Sequence, residues 1–411
     1  MSVDVVRESA EAGRVVLWEE SARDGAQAKT LMSADFRVRL ARRTGGMFGA
    51  DGARHVVFAA GFPAVCAEEY EAVRQVTDEA GDSVSVAAVC RGAVRDVEQA
   101  VASVRGAAHP RIMIVVPASE AMARVMTHRT AAEALTIGTE LVKRARDLDD
   151  SVAVDVCLAD AARADNALAG THAGAMTAAG AGLVVLADTV GGQLPDACGT
   201  MFREVAAAAG ADTVLASHLH NDLGLGLANS LQALRAGVRV LSAAWLGIAE
   251  RAGMVATEQL LLLLALHHRE LLRPEADLWW TAPDLTHVPG IAADVSRETG
   301  VPLTVTTPVV GTGVGTISTG TPFVHPQLFQ PYDPAEVLGT RPQVLLTQLA
   351  SARVVTAVAA RLGHTLEREQ TTAAMDWAKR RAFRTGQAVI DDDVFAAYLD
   401  GLASLPVRSA R

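Results

Sequence analysis

Between residues 14 and 245 the chain repeats one pattern eight times: a short run of apolar, often β-branched residues, then a longer Ala- and Leu-rich stretch at helical spacing. The runs are RVVLW (14–18), HVVFAA (55–60), SVSVAAVC (83–90), RIMIVV (111–116), VAVDVCL (152–158), GLVVLAD (182–188), DTVLASHLH (212–220) and VRVLSAAW (238–245). Runs of this length read as strands. The segments between them, such as CAEEYEAVRQVTDEAG and AAEALTIGTELVKRARDL, keep polar residues on one side and often end at Gly, as helices do. Eight βα units over some 260 residues close most simply into an α/β fold of the (β/α)₈ TIM-barrel type. A doubly wound open sheet is the alternative, and no GxGxxG turn after the first strand favours it.

A barrel accounts for about two thirds of the 411 residues, and a chain of this length holds a large core plus a second, smaller unit. The texture changes near residue 270, where RPEADLWWTAPDLTHVPG has prolines and no strand alternation. We therefore expect a barrel over 1–275, a linker and small loop-rich subdomain over 276–343, and a mostly helical C-terminal subdomain over 344–411. The net charge of −10 argues against nucleic acid or an anionic membrane as partner, while leaving a local pocket for a small anion possible. Cys66, Cys90, Cys157 and Cys198 show no CxxC or other metal-like spacing and read as reduced, mostly buried thiols. The first residues carry charges where a signal peptide has an apolar core, and QLLLLLALHH (259–268) is too short to span a bilayer, so a cytoplasmic location is expected.

In a barrel, chemistry gathers at the C-terminal ends of the strands. ARDGAQ follows the first strand, CRG the third, DTVGG the sixth, SHLHND ends the seventh and GIAERAG follows the eighth. His218 and His220 are two apart, so along a strand they point to the same face. They read either as a hydrogen-bonded pair at a strand end or, with Asp24 from the first strand, as three ligands that leave open positions on a divalent cation. Because both clusters fall at one face, the metal reading is carried forward. Arg23 pairs either with an anionic substrate group or with a neighbouring carboxylate, while Gln27 and Thr189 offer neutral hydrogen bonds or serve as cap and turn residues. Glu250 and Arg251 read as a structural ion pair, and Cys157 and Cys198 as core.

These residues carry a resemblance. Arg23-Asp24-Gly25-Ala26-Gln27 is similar to the RDGxQ signature of the DRE-TIM metallolyases, and SHLHNDLGLGLANSLQALRAG (217–237) resembles their HxHND segment. AGFPA (60–64), DAARAD (160–165), LADTVG (186–191) and GIAERAG (247–253) fall in the same order as their counterparts. The branch most resembled is the Claisen-condensing one: isopropylmalate, homocitrate and citramalate synthases. FQPYDPAEVLGTRP and the helices after it resemble the subdomains those synthases carry behind the barrel, without the regulatory domain that ends many of them. The resemblance implies that Asp24, His218 and His220 bind a divalent metal (Mg, Mn, Zn or Co) that chelates a 2-oxo acid. Arg23 then stabilises charge on the carbonyl oxygen, Thr189, Arg91 and Asn221 hold the substrate, and Gln27 lines the pocket. It also implies an acyl-CoA as second substrate and a homodimer.

The chain departs from that pattern at the acid–base positions. Ala159, Ser318 and Phe329 stand where the synthases have Glu, His and Tyr, and Met122 and Met254 replace a His and an Asn. His325 and Tyr332 are candidate substitutes, and Glu20, where the family has Thr, adds a carboxylate beside the metal site. Three readings follow: a divergent metal-dependent acyltransferase joining an acyl-CoA to a 2-oxo acid, a metal-dependent lyase or aldolase that needs no CoA, and a metal-binding barrel that serves as a scaffold without turnover.

Overall fold

The structure is a computed structural model and describes residues 3–27, 30–272 and 277–403. It divides into two compact units, 1–302 and 303–411. In the first, eight parallel strands close in sequential order. They are β1 (Val16–Glu19), β2 (Val56–Gly61), β3 (Ser85–Arg91), β4 (Pro110–Pro117), β5 (Ala153–Ala159), β6 (Ala181–Asp188), β7 (Leu215–Leu219) and β8 (Val240–Ala243). The closing pair sets Trp18 of β1 opposite Ser242 of β8. The (β/α)₈ expectation holds, and every strand lies within three residues of its sequence run at either end.

The strands are buried on both faces, which is why the sequence shows continuous apolar runs. Alternate residues point inward: Val16, Trp18, Val57, Ala59, Ala87, Val89, Met113, Cys157, Leu183, Val185, Ala187, Ala216 and Val240 fill the barrel. Helix Val5–Glu11 closes the N-terminal end with Val5, Val6 and Ala10, and Asp4 caps that helix by accepting from the Val6 and Arg7 amides. Asp4 also accepts from Arg111 (2.9 Å), which reaches Asp155 of the next strand at 2.8 and 3.0 Å. Three of the outer helices start at a side-chain cap: Ser33, Asp165 and the reciprocal Thr130–Glu133 box each satisfy amides of a first turn.

The first unit runs past residue 275 to Pro302 because helix Val288–Thr299 buries Val288, Ile291, Ala292 and Val295 and ties Asp294 to Arg43 and Glu298 to Ser33. In the second unit, helices Ala352–Arg361, Arg368–Thr385 and Asp392–Ala403 share one core around Val354, Val358, Ala374, Ala378, Phe395 and Leu399. Phe323 from the loop-rich stretch packs on that core, and residues 303–343 belong to the same compact unit as the helices behind them. Among the described residues, no helix is long and apolar enough to cross a membrane.

Candidate metal centre

The turn after β1 is built around a close approach. The carbonyl of Glu20 accepts from the amides of Arg23 (3.0 Å) and Gly25 (3.1 Å), folding residues 21–27 back over the strand end. A Cβ at Gly25 would collide with the Ser21 carbonyl and lie 2.7 Å from Ile248, so only glycine lets this turn sit under the loop after β8. The result buries Asp24 to 2 % exposure, with its Oδ1 accepting from the Glu250 amide at 3.3 Å. Two strands away around the mouth, His218 lies in β7 and His220 one residue beyond it, held in strand-like register by a bridge to Met254. Gly253, at φ +94° and packed on the Gly247 carbonyl, shapes the loop that carries Met254.

Asp24 Oδ2 lies 3.2 Å from His218 Nε2 and 3.6 Å from His220 Nε2, and the two Nε2 atoms are 3.3 Å apart. Among the described residues, these three form the one group of His, Cys, Asp or Glu side chains clustered closely enough to hold a metal. The spacing can be tested against a cation. Three N/O ligands at about 2.0–2.1 Å from one ion are about 2.8–3.0 Å from each other in octahedral and about 3.3–3.4 Å in tetrahedral geometry, and the observed separations match with a few tenths of an ångström of adjustment. Both Nε2 atoms face the same point, which in a metal-free site lets only one of them donate to the other. The donor set fits a borderline divalent ion such as Zn, Co or Mn as well as Mg.

The charges are strongly coupled. Burial works against ionisation of Asp24, yet Arg23 and the hydrogen bond from His218 outweigh it and hold its carboxyl far below the usual range. Burial also disfavours protonated His218, but Asp24 and Glu20 reverse this and push its pKa up to about 9. His220 is driven the other way, down to about 4, by burial and by the charge on His218. Arg23 is 10 % exposed, with Nε 2.9 Å from Glu20 Oε2 and Nη1 3.4 Å from Asp24 Oδ2. Glu20 is fully buried, and its Oε1 is also 3.5 Å from His218 Nδ1.

The remaining sequence candidates are placed as follows. Thr189 Oγ1 accepts from the Asp160 amide (2.8 Å), linking the ends of β5 and β6, and Asn221 Oδ1 accepts from the Gly226 amide (2.9 Å), closing the turn after β7. Arg91 reaches outward, 64 % exposed, to Asp96 at 2.5 Å. Gln27 is exposed at the end of its turn. Arg251 pairs with Asp222 at 2.9 Å and more loosely with Glu250 at 3.6 Å. His325 is exposed in the second unit, where Ser318 is half-buried and Phe329 exposed. Ala159 and Met254 are buried apolar groups at the ends of their segments. Cys66 is an exposed free thiol and the other three cysteines are buried. Sequence reasoning left Cys157 as core. It does pack there, but its thiol also feels the charges of Arg23, Glu20 and Asp24, and burial pushes it up to about 12. Its inward direction was readable from the strand period; its proximity to Arg23 depends on how the β1 turn folds over.

Comparison with known proteins agrees with this architecture. A model of the HMGL-like family matches residues 14–295. A 2-isopropylmalate synthase from Neisseria gonorrhoeae is 27 % identical over 409 residues, covering 98 % of this chain and 66 % of its own length. One from Caulobacter vibrioides is 32 % identical over 300 residues, covering 72 % of this chain and 54 % of its own. The chain thus spans just under two thirds of the first of these relatives and about half of the second. The crystal structure of an HMG-CoA lyase from Brucella melitensis superposes with a TM-score of 0.56 at 21 % identity, over 70 % of this chain and 99 % of that one, which shows a shared fold. Because the family match takes in the whole barrel, with both the β1 turn and the histidine strand, the chain belongs to the HMGL-like family of the DRE-TIM superfamily.

Proposed function

We propose that the chain is a divalent-metal-dependent acyltransferase that joins an acyl thioester, with acyl-CoA as donor, to a 2-oxo acid. The observation that carries this reading is the convergence of Asp24 Oδ2 and two imidazole Nε2 atoms, 3.2–3.6 Å apart, at the mouth of the barrel beside a buried arginine. A bound divalent ion would supply Lewis-acid polarisation of the oxo acid's carbonyl and hold its carboxylate. The chain's own groups do the rest. Asp24, His218 and His220 would hold that ion. Arg23, fixed by Glu20, presents its remaining N–H bonds where negative charge grows on the carbonyl oxygen, an interaction that strengthens toward the transition state. Thr189 accepts with its oxygen, so its hydroxyl proton is free to donate to a carboxylate, and the amide NH₂ of Asn221 is free in the same sense. The 2-isopropylmalate synthase relatives support the condensing direction.

The test is thiol release from a panel of acyl-CoA and 2-oxo acid pairs with added Mg, Mn, Co or Zn. Release that requires both substrates and the metal, and that disappears in His218→Ala, supports the reading. A second reading, a metal-dependent carbon–carbon lyase without CoA, is favoured by one specific feature: Ala159 and Met254, buried at the site's edge, offer no acid or base there. Turnover of a single oxo or hydroxy acid with no thioester present would establish it instead. The homodimer belongs to the same proposal and is checked by sedimentation at working concentration.

A further inference from the structure

Arg23 stands between two carboxylates. Its Nε is 2.9 Å from Glu20 Oε2 and its Nη2 3.4 Å from Glu20 Oε1, so the side edge of the guanidinium faces Glu20. Nη1 is 3.4 Å from Asp24 Oδ2, the oxygen that also faces both imidazoles. A guanidinium cannot shed its proton, and at 10 % exposure it cannot turn to water, so it must be neutralised by a carboxylate within reach. Only these two are within ion-pairing distance among the described residues. Without the charge on Glu20, the pull on Arg23 falls wholly on Asp24, which would then close the 3.4 Å gap and occupy the oxygen a cation needs. Glu20 itself is well anchored: its amide donates to the Ala243 carbonyl at 2.8 Å, and its Oε1 lies 3.5 Å from His218 Nδ1, on the ring edge facing away from the trio.

We infer that Glu20 is a positioning residue: it holds Arg23 off Asp24 and so reserves Asp24 Oδ2 for the cation shared with His218 and His220. The contact to His218 Nδ1 acts in the same direction, because a carboxylate behind an imidazole favours presentation of Nε2 to a metal. This rests on the metal-centre reading above and explains why a buried acid occupies the first position after β1 without serving as a ligand itself.

The test is Co(II) affinity by calorimetry, with the visible absorption of bound Co(II) as a reporter of its geometry, in wild type, Glu20→Gln, Arg23→Gln and the double variant. Circular dichroism checks that each is folded. Glu20→Gln is expected to bind Co(II) about 10- to 100-fold more weakly, the usual effect of losing a partner behind the ligands. Adding Arg23→Gln to it should recover most of that loss, leaving only the share carried by the Glu20–His218 contact, a coupling that generic damage to the site would not produce. An unchanged affinity in Glu20→Gln, or a double variant as weak as the single one, overturns the inference while leaving the metal centre standing. Wild type that binds no Co(II) removes both. If Glu20→Gln does not fold, the charge-neutral double variant decides alone: near wild-type affinity supports the inference, and a tenfold loss overturns it.

Discussion

Replacing Asp24 by Asn tests the metal centre with the least disturbance of shape. The amide keeps an oxygen to accept from the Glu250 N–H, now 3.3 Å from Oδ1, and removes the one charge that faces both imidazoles at 3.2 and 3.6 Å. Arg23 keeps its closer partner, Glu20 at 2.9 Å, so the metal-free fold should lose only about 1 kcal/mol for the hydrogen bond between Asp24 and His218. The effect on metal-linked stability is larger. An ion present at about 100 times its Kd stabilises the folded state by about 2.7 kcal/mol. With about 2.1 cal/mol/K of unfolding entropy per residue, a unit of roughly 300 residues should melt about 4 °C higher when loaded. The assay is scanning calorimetry of chelator-treated protein with and without Mn, Co or Zn, in wild type and Asp24→Asn. Wild type is expected to shift by several degrees and the variant by less than about 1 °C. An equal shift in both would refute the assignment of Asp24 as a ligand.

Three further outcomes are expected. Arg111→Met leaves Asp155, fully buried and 2.8 Å from the lost guanidinium, without its partner, costing about 3–5 kcal/mol near pH 8. Burial pushes the Asp155 carboxyl up to about 6 even with Arg111 lowering it, so without Arg111 it rises further; the loss should be largest at high pH and shrink as pH falls toward 6 and the lone acid takes a proton. Urea midpoints at pH 5.5 and 8 check this, and a small, pH-independent loss contradicts it. Burial raises Glu258 to about 7, above its unfolded value of 4.5, so the folded state holds the proton more tightly. Glu258 alone should therefore lower stability by about 3 kcal/mol as pH rises from about 4.5 to 7, and Glu258→Gln, still accepting from the Leu246 amide, should remove that share of the slope. Arg91→Ala should change stability by less than about 1 kcal/mol, its ion pair being 64 % exposed on the arginine side; if Arg91 swings in to hold a carboxylate, affinity for a 2-oxo acid falls, and unchanged affinity excludes it from the site.

The barrel was legible because strands covered on both sides must be apolar throughout, and that leaves unbroken runs such as RIMIVV and GLVVLAD. The histidine pair was legible for a related reason: a period of two carries across the end of β7, so His220 follows His218 to the same side although it lies beyond the strand. The ion pairs were not. Arg111 meets Asp155 because β4 and β5 pair with Met113 opposite Asp155, a register that apolar patterning does not encode. Arg91 falls at a strand end, as expected of a substrate contact, yet its guanidinium turns to Asp96 on the following helix, a choice of rotamer that strand position leaves open. Glu20 was visible as an extra acid beside the site; its partners emerged only once the turn folded Arg23 back onto it.

The same geometry narrows the search for a proton carrier. Carbon–carbon bond formation from a thioester requires a base, and Glu20, Asp24 and Cys157 are already committed. Glu20 is ion-paired with Arg23, Asp24 faces the imidazoles, and burial pushes Cys157 up to about 12, so it stays protonated at neutral pH. Ala159 and Met254 are apolar, and His325 and Tyr332 are the substitutes the sequence offers for testing. In the acyltransferase reading, removing the group that carries the proton should cut thiol release by about 10²- to 10⁴-fold with little change in metal affinity. His325→Ala and Tyr332→Phe, made separately and assayed with the best substrate pair, distinguish the two. If both retain full thiol release, neither is the base; if neither wild type nor variants release thiol while a single oxo acid is consumed, bond cleavage without CoA replaces condensation as the chemistry of this barrel.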